Sequence, residues 1–178
     1  MLSIVQNSDP VLRAKATEVP IADIKSARIR KILKNMTSAL ETQDDGVAIA
    51  APQIGVSLRI FVVSKAVIEM PAELHKRAEM KDLRELKKRL GYLVFINPVI
   101  TKLSREKEIL DEGCLSVRPL YGRVKRAKKA TVTAYDERGT RFTRGAAGLL
   151  AQIFQHEADH LDGVLFIDKA TNLREMPR

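Results

Sequence analysis

The 178-residue sequence predicts an α+β fold: a mostly antiparallel β-sheet packed around a C-terminal metal-binding helix. Three observations predict it. Helical spacing of apolar residues is strong near the start of the chain and again near its end, whereas the stretches between read chiefly as strands. A tight turn separates two of those strands closely enough for a hairpin, so these neighbours run antiparallel. Helix, several strands, helix is also the order of an α+β chain, not the alternation of parallel crossover units. With 45% hydrophobic residues over this length, one globular domain spanning residues 1–178 is expected.

Taken in order, residues 1–20 read as extended chain with turns at Asp9-Pro10 and Val19-Pro20. Over residues 21–43, Ile29, Leu33, Met36 and Leu40 recur every three or four positions, the spacing of an amphipathic helix. Glycines and small residues at 46–55 break that helix, and the apolar run at 58–64 predicts a buried strand. Residues 71–90 are densely charged, with Leu83, Leu86 and Leu90 at helical spacing and Pro71 suited to a first turn, so they predict a surface helix inserted between two strands. Strand character returns over 92–100, where Pro98, unable to donate to a ladder, predicts an edge position or a strand end. Strands at 131–135 and 140–144 flank the turn Asp136-Glu137-Arg138-Gly139. A last helix covers 146–161 and stops near Gly163.

Composition narrows the function. No run approaches the roughly 18–20 consecutive apolar residues of a membrane span, and residues 1–10 lack the basic-then-apolar pattern of a signal peptide. The single cysteine, Cys114, excludes an intramolecular disulfide and suits a reducing compartment, so a cytoplasmic protein is expected. Lysine and arginine outnumber aspartate and glutamate by 31 to 22, a net charge of +9. That balance bears on partners, not on fold. It suits a polyanionic neighbour such as ribosomal RNA, while nothing in the chain points to a membrane or to specific DNA.

The strongest chemical signal is His156-Glu157-Ala158-Asp159-His160, within the last helix. Imidazoles four residues apart share a helix face, with Cβ atoms roughly 5–6 Å apart, and can hold one metal ion. Glu157 lies about 100° round the helix from His156, where its carboxylate reaches a water on such an ion. Leu149 and Ile153 precede His156 at helical spacing, so that face is expected to point inward. A catalytic metal site needs a third protein ligand and an open position. Cys114 is the candidate: it sits in Glu112-Gly113-Cys114-Leu115-Ser116, where Gly113 lets the backbone bend closely, and a thiolate beside two neutral imidazoles satisfies a divalent ion. In residues 46–55, small side chains allow a substrate backbone to approach and Gln53 offers an amide donor.

In this order, a glycine-alanine loop ending in Pro52-Gln53, then EGCLS at 112–116, then HExDHLxG at 156–163 resemble the three signature motifs of the peptide deformylases. EGCLS with HExDHLxG separates that family from ordinary HExxH proteases, whose third ligand is usually another histidine or a glutamate. The likeness continues through residues 4–13 and through Tyr121-Gly122-Arg123-Val124-Lys125-Arg126, and covers roughly four-fifths of the chain, leaving out mainly 65–90.

The resemblance implies an enzyme that hydrolyses the N-formyl group from the N-terminal methionine of newly synthesised polypeptides and releases formate. It implies Cys114, His156 and His160 as metal ligands and Glu157 as general base and acid. Gln53 and the Leu115 backbone N–H would form the oxyanion hole, with Gly46 and the ion pair Glu112–Arg126 as structural support. The methionine side chain would lie among Val47, Leu110, Leu149 and Ile153, with Tyr121 along the peptide groove and Ala48 where the substrate backbone pairs. A cramped site would select formyl over acetyl. One divalent metal per chain is implied, ferrous iron in the cell, although a Cys/His/His set also suits zinc, nickel or cobalt and purified protein can carry zinc or nickel. The implied partners are N-formylmethionyl nascent peptides and, with the basic charge, the ribosome near the exit tunnel.

Two positions depart from the family pattern. Ala48 stands where the first loop usually has a second glycine, which narrows the place where substrate backbone pairs. Gln152, one turn before His156, sets a polar group near a pocket that is generally apolar. The charged segment 65–90 is longer than in the simplest family members. Two rival readings are a general HExxH metallopeptidase and a catalytically inactive deformylase-like protein that binds the ribosome or RNA through its charge; the intact catalytic positions argue against the second.

Overall fold

The computed structural model describes residues 3–69 and 80–175. Helix α1 spans Ala27–Glu41. It begins later than the apolar spacing alone predicts: Ile21–Asp23 form a separate 3-10 turn, and the Ser26 side chain accepts from the Ile29 N–H at 3.2 Å. A serine that satisfies a free first-turn N–H is a helix start signal, and it overrides the hydrophobic period. Strand β1 (Ala48–Ala50) leads into a 3-10 turn at Ala51–Ile54, then comes the wholly buried strand β2 (Ile60–Ser64). The inserted segment contributes helices α2 (Ala66–Glu69) and α3 (Met80–Leu90). The expected first turn at Pro71 lies outside the described residues.

Strands β3 (Tyr92–Leu103), β4 (Lys107–Gly113), β5 (Leu120–Ala127), β6 (Lys129–Tyr135) and β7 (Arg141–Ala147) follow, then helix α4 (Gly148–Leu161) and strand β8 (Thr171–Glu175). They form a five-stranded sheet in the order β1-β2-β3-β6-β7 and a three-stranded sheet in the order β4-β5-β8. Every strand pairing within the two sheets is antiparallel.

Pro98 does not mark an edge. β3 is the central strand of its sheet, and it continues past the proline. The last β2 partner, Ile60, pairs with Ile96, and the register against β6 breaks between Ile96 and Val99. Pro98 therefore falls at a bulge, where the ladder does not require its missing N–H. The bulge is held by Asn97 (φ 50°), whose side chain accepts from Val19 N–H at 2.8 Å and donates to Val19 O at 2.7 Å.

The strand period sorts the core onto the two faces of the large sheet. Ile49, Ile60, Val62 and Ile96 pack with Ile29, Ile32, Met36 and Leu40 of α1. Ala50, Phe61, Val63 and Phe95 face the other way and pack with Ile153 and Phe154 of α4. Phe61 and Phe95, paired across the strands, stack at 4.5 Å, and Phe154 meets Phe95 edge-on at 5.1 Å. Helix α4 starts at Gly148 (φ 57°), two residues later than the sequence predicts, because Ala146 and Ala147 still pair with Ala130 and Lys129 of β6. Buried Gln155 then fastens it to the β5–β6 connection, accepting from Ala127 N–H at 2.9 Å and donating to Ala127 O at 3.0 Å. Past the helix, a Cβ at Gly163 would stand 2.6 Å from the Arg13 carbonyl oxygen, so glycine is required where the N-terminal segment crosses. No helix among the described residues is long and apolar enough to cross a membrane.

Candidate metal centre and peptide cleft

β1 is an edge of the large sheet and β4 an edge of the small one. Residues of both edges, with the first three turns of α4, line a cavity of about 270 Å³. At its base, Cys114 Sγ lies 3.2 Å from His160 Nε2, and ligand atoms of Cys114, His156 and His160 all lie within 4.8 Å of one another. Helix spacing brings the two imidazoles together, with ring centroids 5.0 Å apart. The cysteine arrives from the turn after β4.

Two buried polar atoms have no partner among the described residues: His160 Nδ1 and Glu157 Oε2. Both flank the Cys/His/His cluster. A divalent cation fits these donors, because it would take the soft sulfur and the two imidazoles together and leave the glutamate oxygen beside it. Burial keeps His160 well below its usual pKa, in the neutral form a ligand needs. Burial also pushes the Glu157 carboxyl up to about 7, with Glu112 adding to the rise and a charge on His156 opposing it.

His156 Nδ1 lies 3.0 Å from Glu112 Oε2, which leaves Nε2 for the cluster. Glu112 is itself gripped in two places by Arg126, at 2.7 Å from Nε and 2.9 Å from Nη2, both side chains being buried. Burial alone would raise the Glu112 pKa, but the Arg126 and His156 hydrogen bonds outweigh it and hold the carboxyl at about 2. The third Arg126 contact is Asp159, 2.7 Å from Nη1, and Lys169 Nζ lies 2.7 Å from the other Asp159 oxygen. The motif offered Asp159 in plain view, but no role for it follows from spacing alone.

Gln53 is buried, and its amide is oriented at both ends. Its Oε1 accepts from Ala50 N–H at 2.8 Å, while Nε2 lies 3.2 Å from Ser116 Oγ and 3.5 Å from Cys114 Sγ. Gly46, Val47, Ala48, Leu115, Tyr121, Leu149 and Ile153 line the same cavity, as do Glu112, Gln53, Cys114, His156 and Glu157. A Cβ at Gly113 would collide with the Tyr121 ring, standing 2.7 Å from its Cδ1 and nearer still to Cε1, so the small residue lets that ring close over the end of β4.

Leu110, on β4, is half-buried and is not among the residues that line this cavity. The wall at that level is made by Gln152, whose Nε2 donates to Asp111 O at 2.9 Å and reaches Glu112 Oε1 at 3.4 Å. The Gln152 amide is thus tied to β4. Leu149 does line the cavity but is 46% exposed, because it sits in the first turn of α4 just beyond the sheet, so the inward face begins at Ile153. Two rim features escaped sequence reasoning: Arg118 bridges to Asp45 across the mouth, and Arg174 of β8 pairs with Asp111 at 3.1 Å.

A cleft between two strand edges, with a Cys/His/His cluster able to hold a metal ion beside a buried carboxylate, defines the class: a metal-dependent hydrolase. The family model described as Polypeptide deformylase matches residues 1–176. The chain belongs to that family, hydrolases that deformylate nascent peptides. It is 41% identical over 167 residues to peptide deformylase 1A, chloroplastic/mitochondrial, of Arabidopsis thaliana, with 93% of this chain and 60% of the plant protein covered. With peptide deformylase 2 of Clostridium acetobutylicum the identity is 38% over 165 residues, covering 93% of this chain and 92% of the relative. Among solved structures, a Met-Ala-Ser-bound class I type b peptide deformylase from Acinetobacter baumannii superposes with a TM-score of 0.79 at 28% identity, covering 94% of this chain and 97% of that one.

Proposed function

We propose that residues 1–178 form a single catalytic domain that hydrolyses the N-formyl group of N-terminal formylmethionine on newly synthesised polypeptides and releases formate. The observation that carries this is the meeting of Cys114, His156 and His160 within 4.8 Å, beside the buried Glu157 carboxylate.

In this reading Cys114, His156 and His160 hold one divalent ion, ferrous in the cell and replaceable by zinc or nickel in purified protein. Such an ion would supply Lewis acidity and lower the pKa of a bound water towards neutrality. The remaining work falls to the chain's own groups. Glu157, raised to about 7, accepts a proton at its unpartnered Oε2 and returns it to the leaving amine. Gln53 Nε2, already aimed at the sulfur, and the Leu115 N–H donate to the formyl oxygen as it gains negative charge. Glu112 holds His156 in one orientation, and Arg126 holds Glu112.

β1 is an edge strand, so its free side offers main-chain groups at Ala48 to an extended peptide, while Val47 O is already held by Ser64 N–H of β2. The methionine side chain enters between Val47 and Ile153, with Leu149 at the mouth and Tyr121 along the groove. The Ala48 methyl is buried and narrows this edge without removing its backbone groups. The basic charge supports a site of action at the ribosome, near the exit tunnel, in the cytoplasm.

Formate release from formyl-Met-Ala-Ser by anaerobically prepared protein, with metal content measured on the same sample, tests the proposal. Turnover of the formylated peptide alone is expected. Cleavage of internal bonds in the unformylated peptide would instead indicate a general metallopeptidase.

A further inference from the structure

The inserted segment ends in a buried cation. Lys87 of α3 is 3% exposed, although its neighbours Lys88 and Arg89 are exposed. Its Nζ donates to Gln43 O at 3.3 Å and to Asp44 O at 3.2 Å. An ammonium leaves water at a cost unless main-chain or charged oxygens receive it. Among the receivers are the Gln43 and Asp44 carbonyls, just after α1 and immediately before the cleft loop.

That loop has little slack. A Cβ at Gly46 would stand 2.7 Å from Leu40 Cδ1 and 3.0 Å from Gln43 Cβ, so the Gly46 backbone rests against the last turn of α1 and against Gln43, one of the two residues whose carbonyls Lys87 holds. The far end is pinned by the bond from Ser64 N–H to Val47 O at 2.9 Å. Tyr92, the first residue of β3, donates to Glu41 Oε1 at 3.4 Å, and the base of the insert is closed by the bond from Lys65 N–H to Gly91 O at 3.0 Å. On the cleft side, Asp45 is held by Arg118. Residues 41–47 are therefore clamped between the insert and the turn that carries Cys114.

We propose that Lys87 is a positioning residue for the cleft: by holding Gln43 O and Asp44 O, α3 sets the place of Gly46–Val47–Ala48 and so governs peptide engagement, not the chemical step. The inference rests on the deformylase reading of that cleft. Lys87 touches neither the metal cluster nor Glu157, so its removal acts on KM and leaves kcat.

The test compares wild type and Lys87→Met, both as metal-loaded enzyme, in formate release from formyl-Met-Ala-Ser and in backbone hydrogen exchange. Lys87→Met is expected to raise KM roughly tenfold with kcat within about twofold, the pattern of lost uniform binding. Exchange at residues 44–48 should accelerate while β2 and β3 stay protected. A wild-type KM with wild-type exchange in the loop would overturn the proposal. So would loss of protection throughout the sheet, which would make Lys87 a general stability residue. Should Lys87→Met fail to fold, Lys87→Gln, which keeps a donor on a shorter chain, is judged by the same two readings. A wild type that releases no formate would overturn the reading of the cleft itself, while exchange would still decide the link from Lys87 to the loop.

Discussion

His156 Nδ1 lies 3.0 Å from Glu112 Oε2, so a carboxylate on the edge strand β4 aims an imidazole presented by α4. A partner on the far nitrogen fixes the ring orientation and typically accounts for 10–100-fold in metal affinity. Glu112→Gln is predicted to weaken metal binding by about that factor, read by competition with a chelator at neutral pH. Wild-type affinity in this variant would remove Glu112 from the support of the site.

Glu112 also gives stability a defined pH window. Its pKa is depressed from 4.5 to about 2, so its stabilisation is complete above about 4.5 and is lost as pH falls through about 2. Removing one partner of a buried ion pair typically costs on the order of 3 kcal/mol. In metal-free protein, the difference in urea-unfolding free energy between wild type and Glu112→Gln should be constant above pH 4.5 and shrink towards pH 2. A difference that persists unchanged to pH 2 would mean that the native carboxylate is not what distinguishes the two proteins.

Glu157→Ala separates chemistry from metal binding. The glutamate is not one of the three clustered ligands, and burial raises it to about 7. Metal content should be unchanged, while kcat should fall by at least about 10²–10⁴-fold, the usual contribution of a positioned acid–base group. Full turnover in the variant would dismiss Glu157 as the proton carrier.

The histidine pair was legible because helix geometry turns a spacing of four residues directly into a distance. Cys114 was legible from its place after Gly113 in EGCLS and from the family resemblance that motif carries, since no local spacing ties it to the last helix. The His156–Glu112 contact joins residues 44 apart, and no local period encodes that kind of meeting. Lys87 was hidden for a related reason: dense charge at 71–90 reads as a solvated face, and a lysine that turns inward looks in sequence like its exposed neighbours Lys88 and Arg89. β8 left no apolar signal because all five of its residues are exposed and it is held by backbone bonds to β5. The Ser26 cap was readable in the sequence, and it, not the turn after Pro20, sets the start of α1.

Cys114→Ser replaces a soft sulfur with a poorer hydroxyl donor while keeping its size and the fold around it. Metal should be held more weakly, so dialysis against a mild chelator should strip the variant under conditions that leave the wild type loaded. Equal retention by the two proteins would deny Cys114 its place as a ligand.

The most direct test of the central claim is anomalous diffraction at the metal edge from crystals of metal-loaded, formate-releasing protein. The predicted result is one strong peak within bonding distance of Cys114 Sγ and of one ring nitrogen each from His156 and His160. A peak elsewhere, or none near these three atoms in active crystals, would contradict it.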